Sequence, residues 1–142
     1  MAAIGKAIFN LLSNDSTISS NVGTRIMPMI INAKQSGARS FPYITYDILS
    51  VEPKADKDIS AGGDALIDSF RIQINIYSQE YSELETIAAA VMSTINRYSG
   101  TANTIKVQSV DYITSADEFE KDGGNNGIYG RAMDFNFRIN NV

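Results

Sequence analysis

Apolar positions along the chain recur with two periods, and the change of period marks the predicted elements. From Ile4 onwards, residues 3–13 carry apolar side chains at the i, i+3, i+4, i+7 and i+8 spacing of a helix with one apolar stripe. Asp15 or Ser16 can cap a short second helix, which Val22-Gly23 closes. A third helix is predicted over residues 79–98, with Gly100 as its stop.

Alternation of apolar and polar residues predicts five strands, over residues 25–31, 42–51, 65–77, 104–113 and 128–139. Pro28 lacks a backbone N–H, so the first strand is expected to be bent or to lie at an edge of the sheet. In the fourth strand the apolar positions change parity between Val107 and Val110. A bulge near Ser109 would return them to one side.

The order of these elements is α, α, β, β, β, α, β, β, which predicts an α+β fold. We expect a mostly antiparallel four- to five-stranded sheet with the helices packed on one face. A chain of 142 residues suits one domain, taken as residues 1–142. Glycine and mixed charge interrupt the alternation at residues 52–64 and 115–127, where long flexible loops are predicted.

Composition removes most enzymatic chemistry. The chain has no cysteine and no histidine, which excludes disulfides, thiolate nucleophiles and the commonest general base and metal ligand. Its net charge of -4 argues against a surface built to neutralise phosphates. The N-terminal segment lacks a signal-peptide pattern, and no apolar run approaches the ~18–20 residues of a membrane span. We therefore expect a soluble protein made in the cytoplasm.

Catalytic and metal-binding motifs are missing from the sequence. A calcium loop starting at Asp117 fails because Phe119 and Lys121 occupy positions that need oxygen ligands. Glu118 and Glu120 are too close in sequence to flank a substrate as a glycosidase pair does. No catalytic residue, cofactor or metal is predicted.

Polar residues on one face of the predicted sheet form the first candidate surface. The same face is expected to carry Asp47, Arg71, Gln73, Asn75, Asp134, Asn136 and Arg138. This is either the ordinary solvated face of an antiparallel sheet or an interface with another copy of the protein. Charged residues of the two predicted loops form the second candidate, for docking a partner: Lys54, Asp56, Lys57, Asp58, Asp117, Glu118, Glu120 and Lys121.

Four stretches in this order resemble a known family. They are "LLSNDSTISSNVGTRIMPM", "FPYITYDILS", "FRIQINIYSQEYSELETIAAAVMSTI" and "GIYGRAMDFNFRI". The chain resembles the tail-completion or tail-terminator proteins of long-tailed bacteriophages and related tail-like particles, from Ile4 to Ile139. The resemblance rests on the order and spacing of fold signatures, and none of the stretches is catalytic.

The resemblance implies a structural role in the virion. Such proteins are α+β protomers that close into a homohexameric ring at the head-proximal end of the tail tube. The ring ends tube polymerisation and offers a joining surface to the head-tail connector. Its implied partners are other copies of itself, the tail tube protein and the connector, while DNA passes through the central hole without specific binding.

Three other interpretations stay open at this stage. The chain could be a head-side neck or adaptor protein of the same particle. It could be a monomeric ligand-binding α+β domain. It could also be a small enzyme that uses carboxylates or tyrosines, although the lack of histidine and cysteine counts against that.

Overall fold

A computed structural model describes residues 4–28, 41–55, 66–121 and 127–140; for residues 53–55, 66, 120 and 121 it describes the backbone alone. The elements are α1 (Ile4–Ser13), α2 (Ser16–Val22), β1 (Ile26–Pro28), β2 (Tyr43–Ala55), β3 (Leu66–Ser78), α3 (Tyr81–Ile95), β4 (Gly100–Ala102), β5 (Ile105–Lys121) and β6 (Gly127–Asn140). They form one sheet in the order β1-β2-β3-β6-β5-β4. The β1–β2 pair is parallel and the other pairs are antiparallel. The predicted α+β class is confirmed.

The core lies between the three helices and one face of the sheet, here named the helix face. Alternation gives every second residue of β3 and β6 to this face, so that Ile72, Ile74, Phe135 and Phe137 are fully buried there. The helices contribute the stripes that their spacing predicts, and their buried residues join the same apolar cluster. None of the helices in the described part is long and apolar enough to cross a membrane.

Residues with known capping preferences fix both ends of α2. Asp15 caps α2, where its carboxylate accepts a hydrogen bond from the Ile18 backbone N–H at 3.0 Å. Gly23 ends the same helix with a φ of 60°, a conformation that glycine adopts without a steric penalty. The predicted stop of α3 at Gly100 is wrong, because the helix ends at Ile95 and Gly100 begins β4.

Two irregularities predicted for the strands are confirmed. β1 lies at an edge of the sheet and Pro28 is its last residue, where the missing N–H breaks no ladder. In β5 the register against β6 shifts between Val107 and Ser109, which brings both Val107 and Val110 into the core.

The sheet is larger than predicted. The described residues form six strands instead of four to five, because β4 is only three residues long and has no alternation to reveal it. The segments predicted as loops at 52–64 and 115–127 also differ. β2 continues to Ala55, and β5 continues to Lys121 opposite Gly127. Residues 56–65 and 122–126 of those segments lie outside the described residues.

The strand at 115–121 was missed because its sequence, SADEFEK, is polar and poor in β-formers. Its backbone pairs with β6 along its full length. Strand propensity depends on such partners, so a neighbouring strand can hold a sequence that alone favours a loop.

We expect the substitution Phe135→Ala to destabilise the protein by about 3–5 kcal/mol, because the ring is fully buried and its removal leaves a cavity. The free energy of unfolding can be measured by urea denaturation followed by circular dichroism. Phe119→Ala is the matched control, since that ring is 56% exposed and its removal should cost less than half as much. Equal losses would show that the core is not where the structure has it.

Candidate interaction surface

The predicted polar residues do share one side of the sheet. Across adjacent strands, Asp47 lies beside Gln73, which lies beside Asp134, and Arg71 lies beside Asn136. Residues opposite one another across a strand pair occupy the same sheet face. We name this side, opposite the helices, the polar face: Thr45, Asp47, Arg71, Gln73, Asn75, Ala132, Asp134, Asn136 and Arg138.

Asp134 is the hub of the polar face. Its side chain is only 9% exposed, and a buried carboxylate needs hydrogen-bond donors to offset its lost hydration. Arg71 Nη2 donates to Asp134 Oδ2 at 2.8 Å, and Gln73 Nε2 donates to Asp134 Oδ1 at 3.0 Å. Both oxygens therefore have a partner within the chain.

A second set of bonds crosses from β3 to β2. Asn75 Nδ2 donates to Thr45 Oγ1 at 3.3 Å and to Asp47 Oδ2 at 3.1 Å. Most of the central polar groups are thus held by each other, in a fixed pattern. Arg138 differs: it is exposed and forms no ion pair with the residues that the structure describes.

The polar face has a recess of about 330 Å³ beside these residues, lined by Gln73, Asn75, Tyr77, Ala116, Asp117, Glu118 and Ala132. Small residues form part of it, and Gly130 lets the Tyr77 ring approach, since a Cβ at that glycine would lie 3.2 Å from the ring. Amide carbonyls and the carboxylate of exposed Glu118 are hydrogen-bond acceptors. The recess is therefore suited to a donor or cationic side chain of a partner.

A cluster that sequence reasoning missed lies on the helix face. Arg131 donates through Nε to Asp117 Oδ1 at 2.6 Å and through Nη2 to Glu85 Oε1 at 2.9 Å. The hydroxyl of Tyr81 accepts from the same Nη2 at 3.3 Å. We name these four residues the Arg131 cluster. It ties β5 and β6 to the start of α3, and the signal was an arginine at a position whose alternation places it among apolar residues.

The bonds of the Arg131 cluster shift the protonation of its members. The Arg131 hydrogen bond lowers the pKa of Asp117. Hydrogen bonds from Tyr81 and then Arg131 lower the pKa of Glu85, and the bond to Glu85 raises the pKa of Tyr81. The bond to Asp117 is the main cause that raises the pKa of Arg131. The shifts of Asp117, Glu85 and Arg131 favour their charged forms and hence the two ion pairs, while the shift of Tyr81 keeps its hydroxyl protonated.

The predicted docking residues are dispersed. Asp117 and Glu118 belong to β5, not to a loop, and Asp117 is bound within the Arg131 cluster. Lys54, Glu120 and Lys121 are strand positions described by their backbone alone. Asp56, Lys57 and Asp58 lie outside the described residues. In the described part, no group of three or more acidic side chains is placed to hold a metal ion.

A sheet whose one face packs on helices and whose other face is a fixed polar pattern defines an α+β protein that offers surfaces for contact. The model of the family described as "Tail completion protein gp17" matches residues 6–140. The chain belongs to this family and is a structural protein of a phage tail, which argues against a catalytic role.

The fold also has a counterpart among solved structures. It is similar to a chain of the virion of a native gene transfer agent (GTA) particle, with a TM-score of 0.69 and 13% identity. The match covers 96% of this chain and 94% of that one, so the two share the fold over nearly their whole length. A comparison with curated proteins finds no match.

Replacing Arg131 by glutamine should lower the thermal stability at pH 7, and the loss should shrink in acid. Asp117 and Glu85 have lowered pKa values in the folded protein, below their ordinary 3.8 and 4.5. Their contribution is therefore complete above those ordinary values and is lost as pH falls through the lowered ones. Melting temperatures of both proteins, measured from pH 7 to pH 3, test this expectation.

Arg97→Gln is the control for this pH series, because it removes an exposed arginine that lies outside the polar face and has no ion pair among the described residues. Its melting temperature should follow that of the unchanged protein at every pH. A loss for Arg131→Gln that stays constant down to pH 3 would contradict a stabilising role of the two carboxylates.

Proposed function

We propose that this protein forms a ring that caps the head-proximal end of the phage tail tube. The ring ends polymerisation of the tube and provides the surface at which the tail joins the head. The observation that carries the proposal is the match to the tail completion family over residues 6–140. Its partners are further copies of the chain, the tail tube protein and the head-tail connector.

The physical character of the chain supports this role. The polar face is preorganised by hydrogen bonds between its own side chains, so it can meet another subunit without first being ordered. We assign the subunit interface to Asp47, Arg71, Gln73, Asn75, Asp134, Asn136 and Arg138. The net charge of -4 suits a ring through which DNA passes, because like charge repels phosphate and does not hold the DNA.

Particles assembled without this protein test its place in the virion. We expect tails that are longer than normal and heads that stay unjoined, because nothing ends the growing tube. A tagged chain supplied in trans should restore joining, and negative-stain images with a gold-labelled antibody should show it at the head-proximal end of the tail. Normal tails with the label on isolated heads would favour a head-side neck or adaptor protein instead.

Charge reversal at Arg138 tests the polar face. Because this side chain is exposed, Arg138→Glu should leave the circular dichroism spectrum unchanged, and also the melting temperature at concentrations too low for assembly, while it reduces the oligomer seen by mass photometry. Arg71→Glu should also reduce assembly, with some loss of stability, since it breaks the pair with Asp134. Arg97→Glu is the control, an exposed arginine outside the polar face. Assembly by Arg138→Glu at the level of the control would reject this interface.

A further inference from the structure

Two strand edges of the sheet are uncovered in the described part of the chain. β1 pairs with β2 only as far as Tyr46, so β2 from Asp47 to Ala55 has a partner strand on one side only. β4 pairs with β5 only as far as Val107, and backbone and side-chain bonds from residues 96 and 97 reach Tyr112. From Ile113 to Lys121, the backbone of β5 pairs with β6 alone among the described residues. The two uncovered stretches, 47–55 and 113–121, are equally long.

Each uncovered stretch carries exposed apolar side chains among charged residues. Ile48 and Leu49 are 47% and 48% exposed on β2, and Ile113 and Phe119 are 43% and 56% exposed on β5. Charged residues and proline, which protect strand edges in natural proteins, are present as well: Glu52, Pro53 and Lys54 on β2, and Asp117, Glu118, Glu120 and Lys121 on β5. Among the described residues these edges have no second strand, and pairing with one would remove the four exposed apolar groups from water.

We propose that the uncovered edge of β2 in one copy pairs with the uncovered edge of β5 in the next copy, so that the sheet continues from subunit to subunit. The proposal rests on the ring proposed above and adds an edge-to-edge contact to the polar face assigned there; Asp47 belongs to both. The two edges lie on opposite sides of the same sheet, so one molecule presents both halves of the contact. A contact between two different edges is heterologous, the type that closes rings.

The two uncovered stretches are offset from each other along the strand direction. This offset supports a second copy of the chain as the partner of each edge. Val51 is the centre of the β2 stretch. Following the register across the sheet, it lies level with Phe70 on β3, Phe137 on β6 and Val110 on β5. The centre of the β5 stretch is Asp117, about six strand positions further on once the bulge at Ile113 is subtracted, or about 20 Å. Crossing from β2 to the next copy's β2 takes four strand spacings, about 19 Å.

An offset of about 20 Å along the strands for every 19 Å across them corresponds to strands tilted by about 45° to the axis around which the copies are arranged. Strands of closed barrels are tilted by about 35–45° and need a stagger of this kind to close. A closed array of tilted strands therefore requires the two uncovered stretches to be offset along the strands, as they are here. Two stretches without this offset would not give the tilt.

The same register selects the residues that meet. Full overlap in the antiparallel sense puts Val51 opposite Asp117, and the bulge at Leu49 then brings Ile48 opposite Phe119. Ile48 lies on the helix face, opposite Ile72 in its own sheet, and Phe119 lies there too, opposite Tyr129. Both partners thus belong to one side of the continued sheet, and two half-exposed apolar groups cover each other.

Disulfide trapping tests this contact, because the chain has no cysteine of its own. Directly opposed residues of antiparallel strands have Cα atoms about 4.5–5.5 Å apart, within the range that a disulfide spans. Ile48→Cys and Phe119→Cys are made as single variants and mixed under oxidising conditions, both as purified protein and in assembled particles. A cross-linked dimer is expected on a non-reducing gel only when the two variants are mixed.

The double variant Ile48→Cys/Phe119→Cys should give a ladder that ends at the closed ring. Ser20→Cys/Phe119→Cys is the control, since Ser20 is exposed on α2, and it should give no ladder. Circular dichroism of each variant checks that the fold is kept. A dimer formed by either single variant alone would replace the proposal with an isologous contact.

The outcomes also separate this contact from the proposed function. Rings and joined tails without the mixed cross-link would overturn the edge contact and leave the capping role intact. A cross-linked ring in particles whose gold label lies on isolated heads would overturn the capping role and leave the contact. A chain that stays monomeric, with no cross-link in particles either, would overturn the contact.

Discussion

The pairing of β3 with β6 is the interaction on which the rest of the structure depends. It runs from Ile67 opposite Asn140 to Ser78 opposite Tyr129, through the centre of the sheet. Because side chains alternate between faces, one register decides both faces at once. In the observed register the phenylalanines of β6 meet the helices and Asp134 meets Arg71. A slip by one residue would bury Asp134 among apolar groups and expose Phe135 and Phe137.

Much of this arrangement could be predicted from local patterns. The apolar spacing gave the three helices, and the change of parity around Ser109 gave a bulge that the structure contains. These predictions succeeded because a helix or a bulge is determined by the pattern of residues within that same short segment. β4 and the outer half of β5 could not be found in this way, since their extended backbone depends on partners distant in sequence.

For the candidate surface, too, the local pattern could be predicted and the contacts between distant residues could not. Alternation predicted which residues share the polar face, and the structure has them side by side. Their hydrogen bonds could not be predicted, because the bond from Arg71 to Asp134 joins residues that are 63 positions apart, on strands adjacent only in the folded sheet. Arg131 was visible as an arginine among apolar neighbours, but its partners on β5 and α3 were not. As a result, Asp117 was assigned to docking although it holds its own chain together.

The bulge at Leu49 and the one beyond Tyr112 lie on the two edges where copies would meet. A bulge increases the local twist of its strand. In a head-to-tail array the number of members is the full circle divided by the rotation from one to the next. Stoichiometry would then be a property of backbone curvature and not of any recognition residue. Deleting a single bulged residue would change the count, or open the circle into a helical filament, while the interior of each molecule stays the same.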